Sequence, residues 1–304
     1  MKKAFLLLIC GTTFYNSAIA QEFYGRLGLG YALPQAGQTM DGTATPYSGN
    51  AINSTVATVN YTSYNISKAS FSSGFRGAFG VGYMFNSHIG VEGALDMTLA
   101  AKKYTFTDYN VVVNKVPSNV DITQSAPNTA LFIPSLVLQT DGAVVNLYTR
   151  IGIAIPLNTR ILQDQIFTNL PGTGAVQPID YTYNIKNQFA LGFSAAAGIK
   201  YTINSRMKFW GEIGFLSLAV YAKQADLTAV SVSGQGGYLS QIDPSQRTIT
   251  YSANFTSTTN DYLHQPTYAQ PFSNCALSAG VCFALKNDDS RRHRGKNDVI
   301  SRRR

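Results

Sequence analysis

The stretch FSSGFRGAFGVGYMF (71–85), the triplet NSH (86–88) and IGVEGALDMTLAA (89–101) decide the fold. Odd positions of the first run read Phe71, Ser73, Phe75, Gly77, Phe79, Val81, Tyr83 and Phe85, whereas even positions hold Ser72, Gly74, Arg76, Ala78, Gly80 and Gly82. Because strand side chains point alternately to opposite faces, one face is aromatic and apolar and the other small or polar. The pattern recurs at 23–33, 89–101, 145–157, 189–203, 207–215 and 275–285. A further run, 130–140, is apolar on both faces. If Asn86 to His88 form a three-residue loop, Phe85 faces Ile89 and the apolar faces of both strands coincide. A two-residue turn at Asp141-Gly142 would pair Thr140 with Ala143, turning Phe132, Leu136 and Leu138 outward and Leu131, Ile133 and Val137 inward. Pro134 lacks a ladder donor and fits a central strand poorly.

Alternation of this kind suits either a half-buried soluble sheet or a barrel in lipid. A soluble sheet would carry Lys, Glu and Thr on its wet face; here that face is mostly Gly, Ala and Ser, which suit a narrow barrel interior. Only a closed barrel lets a β chain cross hydrocarbon, where no water satisfies the backbone. Tight turns at 86–88, 141–142 and 204–206 alternate with long polar stretches at 34–69, 110–127, 158–181 and 231–270. The fold expected is all-β: an eight-stranded antiparallel up-and-down transmembrane barrel with both termini, and three short turns, on the periplasmic side and four long loops outside. The alternative is ten strands, with part of 244–262 in the wall and Ile249, Tyr251, Ala253 and Phe255 outward.

Charge supports a neutral body. The 304 residues carry 24 Lys and Arg against 16 Asp and Glu, and charged residues are only 13% of the chain. Two of the cations are Lys2 and Lys3; eight more, with three Asp, follow Leu285, which leaves 14 basic against 13 acidic residues. A basic, aromatic-free tail is not a nucleic-acid surface. Lys2 and Lys3 precede an apolar stretch, and Ala18-Ile19-Ala20 completes a signal peptide cleaved before Gln21. The expected organisation is a signal peptide at 1–20, a barrel at 21–285 and a basic, disordered tail at 286–304. Cys275 and Cys282 lie seven apart in one strand, about 20 Å at about 3.3 Å per residue, and on opposite faces, so they cannot bridge.

The opening Phe23-Tyr24-Gly25-Arg26-Leu27-Gly28-Leu29-Gly30-Tyr31 after Gln21, the hairpins, and Pro271-Phe272-Ser273-Asn274 before the last strand resemble the bacterial outer-membrane β-barrel family common in Bacteroidetes. The resemblance covers residues 21 to 285. It implies residence in the outer membrane of a Gram-negative bacterium, contact with outer-membrane lipids and with the barrel-assembly machinery, and no shared catalytic site. The chain departs from that family's pattern in continuing past Phe283 and Leu285 to Arg304.

Seven charged residues fall on the inward face: Arg26, Arg76, Glu92, Asp96, Arg150, Lys200 and Glu212. Asp96, opposite Ala78, is diagonal to Arg76; Glu212, opposite Gly198, is diagonal to Lys200. This network is expected to plug the interior, since eight strands leave room for little beyond side chains. Tyr31, Tyr83, Phe85, Tyr104, Phe167, Tyr201, Phe209 and Phe272 are expected in aromatic girdles near strand ends, while Trp210 falls inward near the periplasmic rim. His88, His264 and His293 are isolated, so no metal or cofactor site is expected. On the outer side His264 has Asp261, Asp226 and Asp243 in its loop, too little for an enzyme. Gly28-Leu29-Gly30 and Gly80-Val81-Gly82 lie within strands and are not nucleotide loops. The function expected is that of a monomeric, non-catalytic barrel with a plugged interior, serving envelope structure or surface interaction, with an extracellular ligand reached through its loops. The alternatives are a narrow pore for ions or small solutes and, behind it, an outer-membrane hydrolase.

Overall fold

The computed structural model describes residues 22–35, 39–46, 61–113, 116–169, 177–254 and 263–285. The chain opens with β1 (Glu22–Pro34) and a hairpin of β2 (Thr39–Pro46) and β3 (Tyr61–Lys68). There follow β4 (Gly74–Met84), β5 (Ile89–Ala101), β6 (Tyr104–Val113), β7 (Val116–Ser125), β8 (Ala130–Gln139), β9 (Val145–Asn158) and β10 (Ile161–Asn169). The second half comprises β11 (Ile179–Asn187), β12 (Gly192–Thr202), β13 (Met207–Ser217), β14 (Ala219–Val232), β15 (Thr248–Ser252), β16 (His264–Pro266), β17 (Ala269–Pro271) and β18 (Asn274–Ala284). Eight of these close a barrel in the order β1-β18-β13-β12-β9-β8-β5-β4. The ring is sealed where β18 runs antiparallel to β1, Leu27 opposite Val281 and Tyr31 opposite Leu277. Closure leaves no strand edge exposed.

Parity along each strand sorts the side chains as the sequence requires. Leu27, Leu29, Phe79, Val81, Ile151, Ile153, Ile213, Phe215 and Leu277 are exposed on the outer wall. The Asn86 turn joins Phe85 to Ile89, the Phe85 amide donating to the Ile89 carbonyl at 2.9 Å. The Asn86 carboxamide oxygen accepts from the amides of His88 and Ile89, and Asn204 does the same for Arg206 and Met207. Both connections use Asx chemistry to turn the chain in three residues.

The turn between β8 and β9 is longer than the two-residue turn expected. Gln139 lies opposite Tyr148, and the Thr140 amide reaches the Leu147 carbonyl at 2.9 Å. The register moves by an even number, so the faces survive: Phe132, Leu136 and Leu138 are exposed, and Leu131, Ile133 and Val137 are buried. Pro134 is accommodated because pairing of β8 with β9 is interrupted at Ile133 and Pro134, while Gly93 stays opposite Pro134 on β5.

Three expectations are corrected. First, the alternation does not begin at Phe71: Ala69 to Ser73 are all buried, and the strand starts at Gly74, whose φ of +119° favours glycine. From there the odd positions face outward, Phe75, Phe79 and Val81 all being exposed, and a bulge beside Phe75 and Arg76 leaves Leu99 of β5 as the extra residue. Second, the long stretches contain strands: β2 and β3 make a two-stranded sheet of their own, and the others form a second sheet in the order β16-β15-β14-β11-β10-β7-β6, with β17 beside β14. Third, the described part of the stretch 244–262, namely 244–254, is not in the wall: β15 pairs with β14 in the second sheet and Tyr251 is buried, while 255–262, with Phe255, lie outside the described residues.

The second sheet shares a core with the long-connection end of the barrel. Phe71, Tyr104, Leu131, Ile133, Ile161, Ile185, Leu216, Leu218, Val220 and Phe272 pack in one cluster. Ile161, Ile185, Leu218 and Val220 are each withdrawn almost completely from solvent, which stabilises by roughly 1.5–3 kcal/mol per side chain.

Candidate functional site in the barrel interior

All seven inward charges named from the sequence sit inside the barrel, and four form a closed ring. Glu92 Oε1 lies 3.2 Å from Arg26 Nη1 and 2.8 Å from Arg150 Nη1, while Glu212 Oε1 lies 2.7 Å from Nη2 of both arginines. Each cation touches both anions and each anion both cations, so the ring is neutral. Arg26 is 2% exposed. A lone buried charge is costly; here ion pairs, with charge-assisted hydrogen bonds from Arg26 to Glu92 and from Arg150 to both carboxylates, offset desolvation.

Tyrosines complete the ring. The Tyr24 hydroxyl donates to Glu92 Oε2 at 2.9 Å, and that of Tyr148 to Glu212 Oε2 at 2.8 Å. Tyr24 precedes Arg26 by two residues and Tyr148 precedes Arg150 by two, so parity alone places each on the inward face. Trp210 is inward and buried, as its phase requires, with the Arg26 guanidinium carbon 3.6 Å from its ring centre. That stacking is a cation–π contact. It needs Gly280 below the indole, where an added Cβ would come within 2.8 Å of Trp210 Cζ2.

Around the ring stand Arg76, Asp96 and Lys200. Arg76 and Asp96 meet as the diagonal requires, Arg76 Nε donating to Asp96 Oδ1 at 3.0 Å and Nη2 contacting Oδ2. Lys200 does not pair with Glu212, although Gly198 lies opposite Glu212. Its ammonium donates to Gln139 Oε1 at 3.0 Å and sits 5.2 and 4.8 Å from the rings of Tyr24 and Tyr148. Glu212 is taken by two arginines instead, because bidentate guanidinium geometry outcompetes a point charge. Tyr24, Met84, Val137, Tyr148, Trp210 and Cys282 form one buried cluster toward the short-turn end, and the shared core forms another toward the opposite end. The charge ring thus lies between two apolar layers.

Of the expected girdle aromatics, Tyr31, Tyr201 and Phe209 are exposed on the outer wall. Tyr83 packs tilted against Phe23 at 4.6 Å and edge-to-face against Phe85 at 5.3 Å, and Tyr31 edge-to-face against Phe75 at 5.0 Å, marking the two ends of the band. Phe167 belongs to the second sheet, beside Tyr181. Tyr104 and Phe272 are not girdle residues: both are buried against Phe71. The Tyr104 hydroxyl donates to the Ser70 carbonyl at 2.9 Å and accepts from the Ser70 amide at 3.1 Å, holding 69–73 in the barrel mouth.

The groups weighed for hydrolysis do not converge among the described residues. His264 lies in β16 opposite Thr250. Asp226 is engaged by Lys186 at 2.8 Å, Gln224 at 2.6 Å and Thr248 at 3.2 Å. Burial would raise its carboxyl pKa, but the Lys186 charge and these hydrogen bonds hold it below the usual value. Asp243 accepts from the amide and hydroxyl of Ser245, which lower its pKa. Asp261 and His293 lie outside the described residues. No group of three His, Cys, Asp or Glu among the described residues could hold a metal ion. Cys275 and Cys282 are free thiols, and no described helix is long and apolar enough to cross a membrane.

Comparison with known proteins places this architecture. Among solved structures, the chain is similar to Ail, the attachment invasion locus protein of Yersinia pestis, at 11% identity and a TM-score of 0.28, covering 86% of this chain and 99% of that one. A second structure of Ail, in complex with the heparin analogue sucrose octasulfate, gives 11% identity, a TM-score of 0.25 and the same coverage. No curated protein matches. The family described as outer membrane protein beta-barrel domain matches residues 4–255. The chain belongs to that family, an integral β-barrel of the Gram-negative outer membrane.

Proposed function

We propose that the protein is a sealed, monomeric, non-catalytic barrel that carries a rigid β-sheet outside the outer membrane, in a structural or surface-interaction role. One observation carries this reading: the four-membered Arg26, Glu92, Arg150 and Glu212 ring lies between two apolar layers. A conducting lumen needs continuous water, and an eight-stranded barrel with paired charges and buried clusters in its interior supports a closed one. The second sheet supports the surface role, because strands braced by a shared core present side chains at fixed spacing to an extracellular ligand.

On this reading residues 1–20 are a signal peptide removed by cleavage, barrel-assembly machinery inserts the strands, and the basic segment 286–304 remains in the periplasm. Conductance of the refolded protein in planar bilayers tests it. The expectation is no stable current above lipid background. Large, steady steps from the unmodified protein would favour a narrow pore instead.

A further inference from the structure

We infer that the protein carries a basic collar for the phosphate-bearing headgroups of outer-leaflet lipids. The collar follows from where the apolar band ends. Leu99, Leu157, Phe189 and Tyr221 are exposed apolar residues at the long-connection end of the wall. Two to four residues beyond them stand Lys102 and Lys103, Arg160, Lys186 and Lys223, all exposed. Positions 97–107, 155–163, 184–193 and 217–225 contain these five cations and no Asp or Glu.

Their surroundings leave most of the charge unanswered. Lys186 pairs with Asp226, and Arg160 Nε donates to the Asn184 side chain. Lys102, Lys103 and Lys223 have no carboxylate partner among the described residues. Lys102 rests its ammonium 5.4 Å from the Tyr104 ring. The short-turn end differs: there Glu22 and Asp141 stand among Arg206 and Lys208, and Lys208 lies 4.0 Å from Glu22. Long connections face the cell exterior, so the collar lies at outer-leaflet headgroup depth. Lysine stems lie along the apolar wall while their ammonium groups reach into the polar layer. Anionic headgroups are the counter-charge available at that depth.

Native mass spectrometry of the full chain, released from micelles containing lipid A or phosphatidylcholine, tests the collar. The wild type should retain lipid A in preference to phosphatidylcholine, and inorganic phosphate at equal phosphate concentration should neither bind nor displace it. The triple variant K102Q/K103Q/K223Q should bind lipid A about a hundredfold more weakly, with phosphatidylcholine retention unchanged, and R206Q at the opposite rim should behave as wild type. Should the triple variant fail to fold, the wild type alone decides: retention of lipid A should fall as salt rises from about 50 to about 500 mM, since exposed charges are screened. Equal retention by wild type and folded triple variant, salt-independent binding, or displacement by inorganic phosphate would overturn the inference.

Discussion

Replacing Glu212 by Gln keeps the side chain's volume and removes one charge from the closed ring. Glu212 Oε1 is 2.7 Å from both Arg26 Nη2 and Arg150 Nη2, and its Oε2 accepts from Tyr148 at 2.8 Å. After the substitution two guanidinium groups share Glu92 alone, and the ring carries a net positive charge with Arg26 only 2% exposed. Leaving one buried charge short of its partner costs about 3–5 kcal/mol. Lys200→Gln should cost less than about 1.5 kcal/mol, because Lys200 hydrogen-bonds neutral Gln139 and its loss strands no anion. Urea unfolding of protein folded in lipid vesicles measures both, by the mobility difference between unheated and heated samples. Trp210 is the sole tryptophan and lies beneath Arg26, so its fluorescence reports the same site. A double-mutant cycle sharpens the test: Arg150 and Glu212 should couple by about 2 kcal/mol or more, and Lys200 and Glu212 by less than about 0.5. The reasoning fails if Glu212→Gln lies within about 1 kcal/mol of wild type, or if the Lys200 coupling is the larger.

Tyr104→Phe removes a hydroxyl that holds both backbone groups of Ser70; it should cost about 1–3 kcal/mol and raise amide exchange at 69–73, while unchanged exchange there would show the mouth segment to be held otherwise. Leu277→Arg puts a charge on the lipid face, where Leu277 is 63% exposed, and should destabilise by about 2–4 kcal/mol near the midplane, whereas Leu277→Val should be mild; equal losses in vesicle unfolding would contradict the assigned face. Burial, then the nearby Asp164 charge, raise the pKa of Asp180 in the second sheet. An acid whose folded pKa lies above its unfolded value is destabilising when ionised, so Asp180→Asn should stabilise that sheet at neutral pH, and the gain should vanish as pH falls below the unfolded value of about 3.9. Proteolysis of the second sheet across that pH range measures it.

Local pattern alone determined the barrel. Period-two alternation, Gly-rich inward faces and three Asn- or Asp-led turns specify eight strands and which side chains face lipid, because side-chain direction is a one-dimensional property of a strand. For the same reason the inward set from Arg26 to Glu212 was legible, and Arg76 with Asp96 followed from one hairpin's register. Partners across the lumen were not legible. Arg26 and Glu212 lie on strands that do not adjoin, and only closure of the ring brings β1, β5, β9 and β13 to one level. The Lys200 pairing failed because a diagonal neighbour competes with two arginines arriving from across the barrel. The outer region misled for a related reason. In β13 and β14 the even positions pass from Trp210, Glu212 and Gly214 to Leu216, Leu218, Val220 and Ala222. That change marks where the outside of the strand meets water instead of lipid and the inside must supply the apolar core, but it becomes interpretable only once the second sheet shows what those residues pack against.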